Sequence, residues 1–432
     1  MPFSSSVRRL GGSFLLLLAL VLWTGCEDGT LNAPDIQSRG ESDSTLFESY
    51  VALGNSITAG LISGGINSTT QQQSYAAILA DSMRTPFGLP TLRAPGCPPP
   101  LTQFFNDQGV PAPQRPGDAT ASTCALRDAQ LPPRVNNVAV PSARVIDVLS
   151  NTRPSSSPNP LTQFILGGRT QIEAALDANP TFASVWVGNN DVLGPALLGT
   201  DDVTSFANFA RNYTAVLDQL TGSSTLEGGV LIGVANVTFL PFFSPGPVYA
   251  GLEAAGRFPD NFNVASSCEV RSSEGLTPLV SVPLGFSLIG EARANPNQTV
   301  TLDCQAADTP VLTLDEVETI VQRVRQFNGF LQQQAQQRGL AFFDPNRVFR
   351  TLYAADAGTP SVPTDDPIPK FPATTSDQPF GPFFSLDGVH PSAATHRVVA
   401  ARLVRIINER YASTLNPPAN VPALPGDGSS QQ

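Results

Sequence analysis

The sequence predicts an α/β protein: a three-layer α/β/α sandwich around a mainly parallel sheet, carrying two disulfide-bearing loop insertions. Short apolar runs of strand length alternate with segments of helical periodicity, the order that builds parallel strands joined by crossover helices. The 432 residues are 41% hydrophobic and only 14% charged, which suits a chain with a large buried core. Four short polar segments also stand at predicted strand ends, where open α/β sheets carry their functional residues. No internal repeat is visible.

The elements follow in order. Residues 27–46 are polar and rich in Ser, Asp and Gly, so the fold is expected to start near Leu46. Tyr50–Leu53 is a strand that breaks at Gly54-Asn55-Ser56, and Ile57–Gly60 opens a helix. Residues 85–135 hold many prolines and form a first elaborated loop. Val138–Val140 is a short strand and Ser142–Leu149 a helix start. Arg169–Leu176 is helical, and Ala183–Val187 is a buried strand. Phe206, Phe209, Tyr213, Val216, Leu217 and Leu220 share one helical face. Val230–Ala235 is the next strand. Across 239–312 the pattern dissolves into a second Pro/Gly-rich insertion. A capping box from Thr313 to Glu316 starts a helix that buries Val317, Ile320, Val321, Val324, Phe327 and Leu331 and ends at Gly339. Leu340–Phe343 is a strand. The final helix, about Ser392–Arg410, buries Val399, Leu403, Ile406 and Ile407, and a Pro-rich tail over 412–432 is expected to be disordered.

Charge and composition exclude several classes. A net charge of −11 and an acidic pI near 4.7 leave no basic surplus for phosphate, so nucleic acid is not an expected partner. Only His390 and His396 exist, so imidazole chemistry must use one of them. No CxxC or HExxH occurs, and neither a metal nor a cofactor is expected.

At the N-terminus, Arg8 and Arg9 precede the apolar run Phe14–Trp23, too short for a comfortable membrane span. Leu22-Trp23-Thr24-Gly25-Cys26 resembles a bacterial lipobox, which implies a signal peptide over 1–25, a lipidated Cys26 and a tether over 26–46. The expected location is the bacterial cell envelope, anchored at the outer membrane or cell surface through Cys26, with secretion as the alternative. Four cysteines then remain, Cys97, Cys124, Cys268 and Cys304, an even number that suits two disulfides in an exported protein. Three connectivities are possible. Cys97–Cys124 and Cys268–Cys304 are favoured, since each pair lies inside one Pro/Gly-rich stretch with few other means of order.

The chemistry sits in Gly54-Asn55-Ser56-Ile57, Val138–Ala143, Gly188-Asn189-Asn190-Asp191 and Asp387-Gly388-Val389-His390-Pro391. A serine between strand and helix can present its hydroxyl beside free backbone N–H groups, which makes Ser56 a candidate nucleophile. It needs an imidazole within reach, and Asp387, three residues before His390, can hold Nδ1–H and fix the tautomer. Candidate oxyanion donors are the Ser56 N–H, the Ser142 N–H and the Asn190 side-chain amide. His396 lies in the final helix and is expected to be partly exposed and outside the chemistry. Phe239, Leu240, Phe242 and Phe243 could line an acyl pocket or pack the core.

Taken in order, these segments resemble the four blocks of the SGNH hydrolases, the GDSL-type lipases and esterases, over nearly the whole chain after the signal. The resemblance implies an SGNH/flavodoxin-like fold over 47–411, Ser56 as nucleophile, Asn190 as oxyanion donor, and His390 with Asp387 as base and partner. Two positions depart from the pattern: Asn55 stands for the family's Asp, and Ser142 for the Gly of the second block. The expected function is an exported, lipid-anchored serine ester hydrolase that cleaves lipid or short-chain acyl esters through an acyl-enzyme. The alternatives are a polysaccharide O-acetyl esterase, or a non-catalytic surface lipoprotein that binds glycan or lipid.

Overall fold

Four short strands of β-branched, aromatic and small residues lie side by side at the centre of the molecule. In the computed structural model the described residues are 45–125, 134–150, 161, 165–200, 202–306, 310–354 and 366–424. All of them fall within the compact unit Ser38–Gln432. Strands β1 (Tyr50–Gly54), β2 (Phe182–Trp186), β3 (Gly228–Ile232) and β4 (Ala341–Phe343) form one parallel sheet in that spatial order. Tyr50 faces Phe182, Ala183 faces Gly229 and Ala341 faces Val230. The segment 136–140 runs along the free edge of β1, bonded through Ala52 N–H to Asn136 O, Val138 N–H to Ala52 O and Val140 N–H to Gly54 O. With it the order is that of a flavodoxin-like sheet.

Side chains alternate across this sheet as the period of two requires. Val51, Leu53, Ala183, Val185 and Leu231 point into one core, against the helices Gln171–Asp177, Phe206–Thr221 and Leu314–Gln337. Tyr50, Ala52, Phe182, Trp186, Val230 and Ile232 point into the other, against Tyr75–Met83 and Ala393–Tyr411. Burial on both faces is why the strands read as continuous apolar runs, and it gives the expected three layers.

Several expectations shift in detail. The segment pairs with β1 through a single parallel bridge, Ala52 with Asn137, rather than as a strand over Val138–Val140. Ser142–Leu149 is not a helix start: Ser142 is left-handed, with φ 64°, and only a 3₁₀ turn at Val145–Val148 follows. Phe206 lies on the rim of its helix face, 38% exposed and edge-on to Phe330, while the five other residues of that face are buried. Ile406 is only half-buried.

Both expected disulfides form, Cys97–Cys124 and Cys268–Cys304. The first insertion carries a two-stranded hairpin, Gln103–Phe105 with Pro111–Gln114. The second is far more ordered than its composition suggests. It holds the helices Gly246–Ala254 and Val282–Ala294 and two small sheets. Cys268 and Cys304 join Tyr249, Phe262, Ile289 and Leu302 in a core of its own. Pro247 and Pro283 sit in the first turns of these helices, where the missing N–H has no intrahelical partner to lose, so they start helices rather than break them.

Past the final helix the chain stays on the body through residue 424. Leu424 is 6% exposed and packs beside Val348, Phe383 and Val398, so the expected disordered tail does not begin at 412. The expected signal peptide, Cys26 and most of the tether lie outside the described residues. Among the described residues no helix is long and apolar enough to cross a membrane.

Candidate active site

The Ser56 hydroxyl is positioned by a one-turn helix, Ser56–Ala59, that begins directly after β1. Asn55 caps it, its side-chain oxygen accepting the Ile57 N–H at 3.2 Å, and Gly60 ends it in the left-handed region with φ 90°. With only one turn the macrodipole is small, so local N–H groups rather than a helix field supply the electrostatics. Gly54 is required here, because a Cβ would run into the Thr58 side chain.

His390 arrives from the loop before the final helix. Its Nε2 lies 2.9 Å from Ser56 Oγ, and its Nδ1 lies 2.7 Å from Asp387 Oδ2. Asp387 is held from every side: Oδ1 accepts the Val389 and His390 N–H groups, both at 2.9 Å, and Oδ2 accepts the Gly64 N–H at 2.5 Å. Burial pushes this carboxyl up, but the adjacent His390 ring and those N–H donors outweigh it and bring the pKa down to about 2. Asp387 is therefore an anion whenever the imidazole is asked to take a proton. Ser56 is 7% exposed, and the His390 and Asp387 side chains are 15% and 14% exposed.

Three hydrogen bonds tie the remaining segments to this pair. Val140 N–H donates to Gly54 O at 3.3 Å, Asn190 Nδ2 donates to Ala143 O at 3.0 Å, and Val145 N–H donates to Asp191 Oδ2 at 3.0 Å. The Ser142 turn is thus clipped between β1 and the helix Asn190–Leu198. Among the described residues neither the Ser56 nor the Ser142 N–H is taken by a hydrogen bond, which leaves both free to donate. Ser56, Ser142, Asn190, Asp387 and His390 therefore belong to one linked set of loops at the carboxyl end of the sheet. Gly188, with φ 116°, passes so close to Phe209 and Val234 that a Cβ would lie 2.9 and 2.8 Å from them.

His396 differs from expectation. It is fully buried, stacked on Tyr75, and its Nδ1 accepts the Tyr75 N–H at 3.1 Å. Burial, with the charge on His390 as a lesser cause, lowers its pKa to about 3, so it is a neutral core residue. The aromatic run divides: Leu240 and Phe243 are core, whereas Phe242 is half-buried and its N–H donates to Gly388 O at 3.0 Å, beside the Asp387–His390 turn.

Three supporting residues have roles that the sequence reading does not assign. Gln171 is 1% exposed and brackets Gly54, accepting its N–H and donating to its C=O, both at 2.9 Å. Arg115, from the first insertion, donates to Gly64 O at 3.2 Å and to Pro99 O, and its charge acts on Asp387. Asp191 is buried, which raises its pKa to about 6 even though it accepts the Val145 N–H. Only the block pattern around Asn190 hinted at Asp191; Gln171 and Arg115 carry no local signal. Among the described residues no group of His, Cys, Asp and Glu is arranged to hold a metal ion.

No curated protein matches the sequence. Among solved structures, a catalytic mutant of the acetylxylan esterase Axe2 from Geobacillus stearothermophilus is 13% identical, over 85% of this chain and 96% of that one, with a TM-score of 0.35. LAE5, an α/β hydrolase enzyme from the metagenome of Lake Arreo, Spain, is 12% identical over 84% and 97%, with a TM-score of 0.35. An extracellular lipase from Streptomyces rimosus is 14% identical over 84% and 98%, with a TM-score of 0.33. The family model of GDSL-like lipases and acylhydrolases matches residues 50–403, a span that runs from β1 through Ser56, Asn190, Asp387 and His390 into the final helix, and the chain belongs to that family of ester hydrolases.

Proposed function

We propose that this chain hydrolyses carboxylic esters through an acyl-enzyme on Ser56. The observation that carries the reading is the continuous chain Ser56 Oγ, His390 Nε2, His390 Nδ1, Asp387 Oδ2, with links of 2.9 and 2.7 Å. His390 takes the Ser56 proton as Oγ attacks the ester carbonyl, and the resulting imidazolium is stabilised by the Asp387 anion. The tetrahedral oxyanion accepts from the Ser56 and Ser142 N–H groups and from the Asn190 amide. His390 returns the proton to the departing alkoxide. Water then repeats the sequence, with His390 as base, and releases the carboxylic acid and free Ser56.

An exported, lipid-anchored enzyme at the bacterial cell envelope is part of the same proposal. It is supported by Arg8, Arg9, the apolar run Phe14–Trp23 and Cys26 in a lipobox-like setting. Lipid or short-chain acyl esters are the first substrate class. An acylated glycan is favoured by one observation, a groove of about 490 Å³ between the two loops that hold Gln103, Asn106 and Asp107 on one side and Thr374, Ser376 and Asp377 on the other. Leu386, which precedes Asp387, also lines it.

The test is labelling of the purified chain by a fluorophosphonate probe, with hydrolysis of p-nitrophenyl esters from acetate to palmitate alongside. Labelling and turnover lost in Ser56→Ala and His390→Ala are expected. A folded wild-type protein that neither labels nor hydrolyses any ester would overturn the enzyme reading in favour of a binding lipoprotein. Incorporation of a radiolabelled fatty acid, abolished in Cys26→Ser, is the expected result for the anchor.

A further inference from the structure

Ser142 occupies a backbone conformation that its own side chain disfavours. Its φ of 64° lies in the left-handed region, which glycine enters freely and a residue with a Cβ enters at a cost. The chain does not relax this strain, because the loop is clipped on both sides. Val140 N–H is fixed on Gly54 O, Ala143 O on the Asn190 amide, and Val145 N–H on the buried Asp191 carboxylate. The Ser142 side chain is exposed and makes no hydrogen bond to any described residue, so no structural bond offsets the strain. A side chain kept in a costly conformation, solvent-facing and unbonded, on a turn locked to both the Ser56 and Asn190 segments, is placed for chemistry rather than for packing.

Resting on the serine ester hydrolase reading, we infer that Ser142 is a catalytic residue whose hydroxyl donates to the tetrahedral oxyanion together with its own backbone N–H. A serine Oγ in a staggered rotamer can sit close to its own nitrogen, so hydroxyl and N–H can converge on one acceptor. The rotatable O–H turns toward charge only as that charge forms, which makes the bond stronger in the transition state than in the ground state. A glycine at this position offers one donor, and the serine offers two. No proton is transferred: the hydroxyl keeps its hydrogen throughout.

The test compares the full chain with Ser142→Ala and Ser142→Gly, measuring kcat and KM on p-nitrophenyl acetate, the rate of fluorophosphonate labelling, and Tm. Ser142→Ala keeps the Cβ and the strain but loses the donor, so kcat and labelling are expected to fall about a hundredfold with KM little changed. Ser142→Gly is expected to lose as much kcat while its Tm rises, since the strain is relieved. A pure packing role moves Tm and leaves kcat alone. Wild-type kcat in either variant overturns the inference, because the hydroxyl is then dispensable. Ser56→Ala, run in parallel, separates this outcome from failure of the parent reading: if it still turns over ester, the acyl-enzyme itself is wrong, whatever Ser142 does.

Discussion

Substituting Asp191 and His396 one at a time is expected to reveal two opposing pH dependences of stability that nearly cancel in the native protein. His396 is fully buried with a pKa lowered to about 3, whereas the unfolded chain protonates it near 6.5. Between these values the unfolded state holds the extra proton. The contribution of His396 is therefore fully present above about pH 6.5 and is lost as pH falls, at about 1.4 kcal/mol per pH unit. Asp191 has the opposite sign. Its pKa is raised to about 6 by burial, against 3.8 when unfolded, so between those values the folded state holds the extra proton. Its contribution is present below about pH 3.8 and is lost as pH rises, at about 1.4 kcal/mol per unit.

The overlap, about pH 4 to 6, lies above the range in which Asp387 titrates with its pKa of about 2. Denaturant unfolding across that window should therefore give nearly constant stability in the wild type, relative to the common background of surface groups. His396→Asn retains an acceptor for the Tyr75 N–H and removes the imidazole, so its stability relative to wild type should fall by about 2.5 kcal/mol from pH 4 to 6. Asp191→Asn retains an acceptor for the Val145 N–H and should rise by about as much. The two curves have opposite slopes. Parallel curves, or slopes of the same sign, would refute the assignment of one imidazole kept neutral by burial and one carboxyl whose pKa burial raises.

Three further outcomes follow from the same structure. Gln171→Ala strips the Gly54 N–H of its partner while Val140 N–H still serves the carbonyl, so a loss of about 2 kcal/mol is expected in denaturant unfolding. Activity should fall with it, because Gly54 anchors the turn that presents Ser56. Gly188→Ala meets Phe209 and Val234 and forces an alanine to φ 116°, and a destabilisation of roughly 3 kcal/mol or more, seen as a lowered Tm, is the expected result. Replacing Cys268 and Cys304 together by serine opens a link between residues 36 apart and should cost about 4 kcal/mol, detected by calorimetry, with early proteolysis inside 239–312.

Much of this molecule is written locally. The strands at Tyr50, Phe182 and Gly228 are visible because burial on both faces demands unbroken apolar runs, and the Leu314–Gln337 helix because its capping box and apolar face are both sequence-local. The second insertion was illegible for a physical reason: its helices are short, start at prolines and bury their apolar sides against a small private core, so no long periodic face appears. His396 misled because a single imidazole carries no mark of its depth, which Tyr75, from a helix 321 residues away, helps to create.

By itself the sequence determined the α/β alternation, the Cys97–Cys124 and Cys268–Cys304 pairing as the favoured solution, and the four segments that hold Ser56, Ser142, Asn190, Asp387 and His390. Those are features of residues close in the chain, where turn chemistry and spacing act directly. Only the tertiary structure decided that Ser56 Oγ, 334 residues from His390, lies 2.9 Å from its Nε2. The same holds for Gln171 bracketing Gly54 across 117 residues, for Gly64 N–H reaching Asp387, and for the Asp191 carboxylate that clips the strained Ser142 turn. The reason is that hydrogen-bond geometry is set to tenths of an ångström by how helices and loops pack on the sheet, and a linear pattern fixes which groups exist but not which of them meet.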